Sequence, residues 1–386
     1  MDSKQKEMDK DESPSSSATK KEETRTPSFR SSIPRCADDA PAFSRTSFGI
    51  SNENELPRNT CFWTINVIDK FGIRRVLSNP FKLIYQEWWP LRLTKVELAR
   101  IEEIADICYL PWINFNSLED IPFQVNMPFE KFGNEWFPAV ECAELKLFSK
   151  NLQTFRFHLF DVIQQLHTQK KRESMEPCGI EYHILFEKFL GLFEFRAKSQ
   201  PQFPRGLAKI FDQEISSKAD LLCLKSDEPK TILFLCKHGE VKRKCSSDEA
   251  GYSPARKKLC STTGHVTVTK EATSSTNVDI GMPSDLYAQH VGELLAHMDS
   301  SVMNRGLLGM VIQKTNVIFT YLEIEQQSYE KMRKRKEPGS DFDQTLQKNP
   351  VLYYTDQYNF LKRDDRHEIF KALVAVKMME MKISNK

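Results

Sequence analysis

Hydrophobic positions change their spacing several times along the chain. From Thr60, the stretch TCFWTINVIDKFGIRRVLSNPFKLIYQEWWPLRL crowds β-branched and aromatic residues around the turn-like DKFG and SNP, which predicts two or three strands. TKVELARIEEIADICYL follows with apolar residues at Val96, Leu98, Ile101, Ile104 and Ile107, the period of a helix. Thr94, with Glu97 three residues later, supplies its N-terminal capping box. After an aromatic, proline-punctuated connection (111–138), AVECAELKLFSKNLQTFRFHLFDVIQQLHTQKKRE predicts a second long amphipathic helix or a broken pair.

From about residue 178 the order becomes helix, strand, strand, polar insert, helix, strands. GIEYHILFEKFLGLFEF is helical; ADLLCLKS and TILFLCK read as buried strands; SDLYAQHVGELLAHMDS is a helix and RGLLGMVIQKTNVIFTYLEI a hairpin. DDRHEIFKALVAVKMMEMKI closes the chain as a helix with Asp364 or Asp365 as its cap. This alternation predicts an α/β (α+β) class: a central mixed sheet flanked by helices.

Two segments carry no such periodicity. Residues 1–57 mix both charges with Ser, Pro and Thr and hold few large apolar side chains, so a disordered tail is expected. Residues 239–283 form a polar insert longer than the roughly 12–15 residues usual for loops in compact domains. The expected organisation is therefore a tail (1–57), an accessory α+β subdomain (58–177) and an α/β domain (178–386) interrupted by a disordered basic insert.

Composition narrows the functional classes. With 40% hydrophobic and 11% aromatic residues among 386, the chain can bury a substantial core. Only 14 residues are Gly, and no G-x-x-x-x-G-K or G-x-G-x-x-G run occurs, which argues against a phosphate-loop enzyme. A formal charge of +2, from 55 basic and 53 acidic residues, leaves attraction to nucleic acid to local clusters. The nine cysteines contain no C-x-x-C pair and several lie in apolar segments, which fits buried thiols in a reducing compartment. The N-terminus has no apolar h-region, and no stretch reaches the roughly 18–20 apolar residues of a membrane span, so a soluble intracellular chain with no membrane partner is expected.

The chemistry of interest lies in SSKADLLCLKSDEPKTILFLCKHGEV (216–241). Residues two apart in a strand share a face, which groups Leu233, Leu235 and Lys237 against Phe234 and Cys236. A hairpin over this stretch brings Asp220, at the start of its first strand, towards Lys237, at the end of its second. A carboxylate that ligates a divalent ion beside a lysine that stabilises developing charge is the beginning of a phosphodiesterase site.

In the order of these elements the region 178–325 resembles the PD-(D/E)XK nuclease-like (restriction-endonuclease-like) superfamily. That resemblance implies a restriction-endonuclease-like core and assigns Glu181 to the acid of the first helix, Asp220 to the Asp, Lys237 to the lysine and Gln289 to the glutamine of the following helix. The departure is Leu235, where the (D/E)-x-K pattern has a carboxylate: leucine cannot coordinate Mg²⁺. Some members of the superfamily move the missing carboxylate to the following helix, and Glu293, one turn after Gln289, stands there.

The insert adds two basic clusters, Lys242, Arg243, Lys244 and Arg256, Lys257, Lys258, spaced like a bipartite nuclear localisation signal for an import receptor. Ser253-Pro254 beside the second is a candidate phosphosite, and Arg333 to Lys336 forms a third basic run. His290 and His297 fall seven apart on one predicted helix without zinc-like spacing and read as partly buried residues. Cys245, Cys260 and His265 lack a fourth ligand, and Trp88-Trp89 reads as packing in preference to base stacking.

The function expected is a nuclear, DNA- or RNA-associated protein with a nuclease-like fold and a degenerate, inactive metal site that needs no cofactor. Two alternatives stay open: an active Mg²⁺-dependent nuclease whose metal is held by Asp220 and Glu293 with Glu181 and Lys237, and an adaptor that binds a protein partner and no nucleic acid.

Overall fold

The computed structural model describes residues 56–79, 83–84, 93–134, 142–170, 179–199, 205–224, 231–237, 282–303, 306–334 and 349–384. The segment 1–55, the insert with its six basic residues, Ser253, Cys245, Cys260, His265, and the Trp88-Trp89 pair lie outside them.

The strands are β1 (Arg74–Ser78), β2 (Arg196–Ser199), β3 (Gly206–Ile210), β4 (Gln213–Ser217), β5 (Leu221–Leu224), β6 (Thr231–Lys237), β7 (Gly306–Gln313), β8 (Asn316–Glu323), β9 (Val351–Thr355) and β10 (Tyr358–Asn359). Eight of them form one mixed sheet in the order β1-β9-β8-β7-β6-β5-β2, with β10 also on β8; β3 and β4 make a separate hairpin. Within the sheet β1–β9 and β6–β7 are parallel, and the other pairs are antiparallel. The helices are α1 (Ile65–Asp69), α2 (Lys95–Cys108), α3 (Phe129–Asn134), α4 (Phe148–Lys170), α5 (Gly179–Gly191), α6 (Ser284–His297), α7 (Gln326–Lys334) and α8 (Arg363–Ser384).

Alternation along the strands feeds two cores, one on each face of the sheet. Leu221, Cys223, Leu308, Met310, Val317, Phe319 and Tyr321 face α2, α4, α5 and α8. Leu222, Leu224, Leu307, Val311, Ile318, Leu322 and Leu352 face α1, α6, α7 and the β3–β4 hairpin. The first core is rich in phenylalanine: Phe189 stacks on Phe360 at 4.9 Å, and Phe193 meets Phe370 edge-on at 4.8 Å. In the second, α6 lies between the sheet and the hairpin, so eleven of its residues, polar ones included, are buried.

Several elements follow the sequence reading. Thr94 Oγ1 accepts from Glu97 N at 3.3 Å while Thr94 N donates to Glu97 Oε2 at 2.6 Å, the reciprocal box that starts α2. The strands expected around residue 230, the 306–323 hairpin and the helices of the C-terminal half are all present.

Three readings are corrected. Within the described part of the stretch after Thr60 there is one strand, β1, preceded by the short helix α1: Ile68 and Phe71 are three apart and both bury, which one helical turn achieves and a strand does not. The α8 start is capped from afar, Arg363 N donating to Asn114 Oδ1 at 3.1 Å, while Asp365 Oδ2 accepts from Asn359 N at 2.9 Å and holds the preceding turn. Third, β2, β3, β4 and β9 do not figure in the sequence reading. β3 buries Gly206, Ala208 and Ile210, a period-2 signal muted by two small residues. Its two-residue turn to β4, Phe211-Asp212, has positive φ at both positions (50° and 59°), a conformation usually marked by Asn or Gly.

Candidate functional site

The hairpin around residue 230 forms as an antiparallel ladder in which Leu221 pairs with Leu235, Leu222 with Phe234 and Cys223 with Leu233. On its other side β6 runs parallel to β7, pairing Leu235 with Met310 and Lys237 with Ile312. The start of β5 and the ends of β6 and β7 therefore share one rim of the sheet. Asp220, half-buried, immediately precedes β5, and Lys237 is the last residue of β6.

Glu181 comes from the layer of helices that packs in the first core. It stands in the first turn of α5, which is joined to β2 by Leu192–Phe195; β2 in turn pairs with β5, placing Ser199 opposite Leu221. Asp220 and Lys237 thus share one rim of the sheet, while Glu181 stands on a separate helix of the first core.

Gln289 and Glu293 come from the other face. Their helix packs in the second core, whereas α5 packs in the first, so the sheet separates them from Glu181. The two do meet each other: Gln289 Nε2 donates to Glu293 Oε1 at 2.7 Å, along one helical face. Glu293 is only 2% exposed, and its neighbour Gly292 lies so close to Trp63 and Thr60 that an added Cβ would fall within 2.7 and 2.9 Å of them. Its side of α6 is thus closed by the segment ahead of α1.

This donor set fits Mg²⁺ poorly. The ion requires oxygen ligands in near-octahedral geometry at about 2.1 Å. The ladder position two before Lys237 is Leu235, and Glu293 of α6, the substitute the sequence offers, is buried on the far layer from Glu181. Among the described residues no group of three His, Cys, Asp or Glu side chains is placed to hold a metal ion.

The histidines of α6 are more deeply enclosed than their spacing suggests. His290 Nε2 lies 2.7 Å from Thr320 Oγ1 on β8, in a space left by Gly309, where a Cβ would come within 2.6 Å of that hydroxyl. His297 packs against Gly206 of β3 in the same way. Burial pulls their pKa values down, to about 3 for His290 and about 4 for His297. Glycines at close approach carry this arrangement, and a glycine inside a short strand pattern is the one signal that could have pointed to it.

Of the third basic run, Arg333 and Lys334 end α7. Arg333 pairs with Asp299 at 3.3 Å and Glu330 at 3.7 Å and lies over the Tyr329 ring, so its guanidinium serves the chain itself. Lys334, 81% exposed, is within 3.9 Å of Glu330. Among the described residues no helix is long and apolar enough to cross a membrane. No family model, curated protein or solved structure matches the chain.

Proposed function

We propose that this chain is a nuclear, nucleic-acid-associated protein built on a restriction-endonuclease-like core whose metal site is degenerate, so that it binds DNA or RNA without cutting it. The support is one observation: an antiparallel β5–β6 pair beside the parallel strand β7 has Asp220 and Lys237 at one rim of the sheet. Helix, strand, strand, helix, further strands is the order on which the resemblance rests, and Leu235 stands where catalysis needs an oxygen ligand. The enclosed Glu293, bonded to Gln289, weighs against a relocated metal ligand and so favours binding over hydrolysis. Nuclear entry rests on the two basic clusters of the insert, whose spacing suits an import receptor.

Filter binding of labelled duplex DNA, single-stranded DNA and RNA across a salt series tests the reading. The expected result is a log–log loss of affinity with salt, of slope about −0.9 per phosphate contacted on duplex DNA, reduced by about one contact in Lys237→Gln. A flat response on all three probes would overturn it, and cleavage in Mg²⁺ that disappears in Asp220→Ala would replace it with an active nuclease. Replacing all six cluster residues by Gln should shift the protein out of the nucleus; unchanged nuclear accumulation would remove that part of the proposal.

A further inference from the structure

The large sheet ends in β1, which has β9 on one side and, among the described residues, no strand on the other. Parallel pairing fixes which way its backbone points. Arg74 N donates to Pro350 O at 2.9 Å, and ladder bonds recur at every second residue, so Arg74, Val76 and Ser78 direct their N–H and C=O groups at β9. Arg75 and Leu77 turn theirs outward, along the open edge.

The side chains leave that edge apolar in its middle. Val76, beside Tyr353 on the first-core face, is 39% exposed, and Leu77, beside Tyr354 on the second-core face, is 54% exposed. Sheet edges are ordinarily guarded by short strands, charge, a bulge or proline. The opposite edge, β2, is guarded in this way: it spans four residues and alternates Arg196 and Lys198 with small ones. On β1 the arginines do not screen the middle. Arg75 folds back over the Tyr287 ring at 4.4 Å, its guanidinium 3.7 Å from Asp69, and Arg74 lies at the start of the strand.

We infer that β1 is an interface strand whose occupant is β1 of a second copy of this chain, antiparallel about a two-fold axis through Val76. Arg-Arg-Val-Leu-Ser is self-complementary in that register. Arg75 of each copy faces Leu77 of the other, and the two exchange both backbone bonds, which satisfies every outward N–H and C=O of these residues. Val76 meets its own copy as the close, non-hydrogen-bonded pair, a match of β-branched side chains. Arg74 stands opposite Ser78, so no arginine faces an arginine. An in-register parallel pairing, by contrast, sets both arginines against their copies. A five-residue strand buries less than a standard interface, so the dimer is weak and forms at micromolar concentration.

Sedimentation equilibrium of the full chain, from nanomolar to high micromolar concentration, reads the association; a rise to twice the single-chain mass is expected. Leu77→Pro removes an outward N–H and no bond to β9, the position at which an edge strand tolerates proline. It should hold the chain at single mass with an unchanged circular dichroism spectrum. Val76→Lys sets like charges across the axis and should raise the dissociation constant about tenfold or more. The register has its own test, which stands even if Leu77→Pro fails to fold. Oxidised Val76→Cys should cross-link to its own copy, because the Cα atoms of such a pair lie about 4.5 Å apart, within disulfide reach. Leu77→Cys, whose copies stand two residues out of register, should cross-link no more than the wild type with its native cysteines. A single-chain mass throughout the series, a dimer that persists in folded Leu77→Pro, or equal cross-linking of the two cysteine variants would overturn the inference.

Discussion

Arg366 directs a guanidinium that is 1% exposed at main-chain carbonyls: Nε to Tyr109 at 2.6 Å, Nη1 to Phe360 at 2.9 Å, and Nη2 to Leu110 at 2.6 Å and to Ile113. Three of these carbonyls follow the C-terminus of α2, where Leu110 adopts a φ of 56°, unusual for a branched residue, and the fourth, of Phe360, lies just ahead of α8. Burial lowers the Arg366 pKa to about 9, so it is still charged at neutral pH and its hydrogen bonds are charge-assisted. Arg366→Met keeps the bulk but leaves four buried acceptors without their donor; urea unfolding should show a loss of about 3–5 kcal/mol. Nothing local marks this residue. The segment DDRHEIF reads as the capped start of a helix, because three of the four groups that Arg366 serves lie far upstream. The places of Asp220 and Lys237 in the chain, ahead of β5 and at the end of β6, were legible by contrast, since turn residues bound the two apolar runs. Glu293 was not: a mid-helix glutamate reads as solvated until the elements that cover it are known.

At the scale of elements, the β3–β4 hairpin does most to make the interior of this fold. Its turn docks on the end of α7, Phe211 N donating to Met332 O at 2.8 Å and Asp212 N to Arg333 O at 3.4 Å. Phe211 stacks on Phe71 at 5.1 Å, and Phe71 on Trp63 at 5.4 Å, so three aromatic rings pin the hairpin over α6. Two substitutions in one turn should then have opposite signs. Asp212→Gly relieves a positive φ at an exposed position at the expense of a surface pair with Lys209; thermal unfolding should show a gain of about 0.5–1 kcal/mol. Phe211→Gly relieves the same strain but removes a buried ring, and should cost about 3 kcal/mol. The helices were easier to read than this hairpin because Thr94, Glu97 and a 3.6-residue period repeat one message, whereas Gly-Leu-Ala-Lys-Ile and a Phe-Asp turn give almost none.

For the whole molecule, the buried imidazoles of α6 predict a defined acid limit. His290 and His297 are neutral in the fold, with pKa values near 3 and 4 against about 6.5 in an unfolded chain. Their depressed values mean that the unfolded chain takes up protons first: the stability they contribute is complete above about pH 6.5 and is lost as pH falls towards 4 and below. At pH 5 each has given up about 2 kcal/mol, about 4 together, and His290→Gln with His297→Gln should flatten the pH dependence of the denaturation midpoint between pH 6.5 and 4.5. A curve of unchanged slope in the double variant would show that other groups set the limit.

The parallel β1–β9 ladder couples Arg74 to Val351, and the ion pair at 2.6 Å between Glu97 and Lys382 repeats the connection between α2 and α8. Neither partner of the early segments exists until residues 351–382 have been made. A nascent chain halted before residue 349 holds α2 without α8 and β1 without its ladder partner β9, so truncation there should leave 56–134 open to limited proteolysis, far from the cut. Contacts this distant in sequence also slow folding. Synthesis therefore passes through an interval, from residue 108 to residue 363, in which α2 stands without the helix that later packs on it.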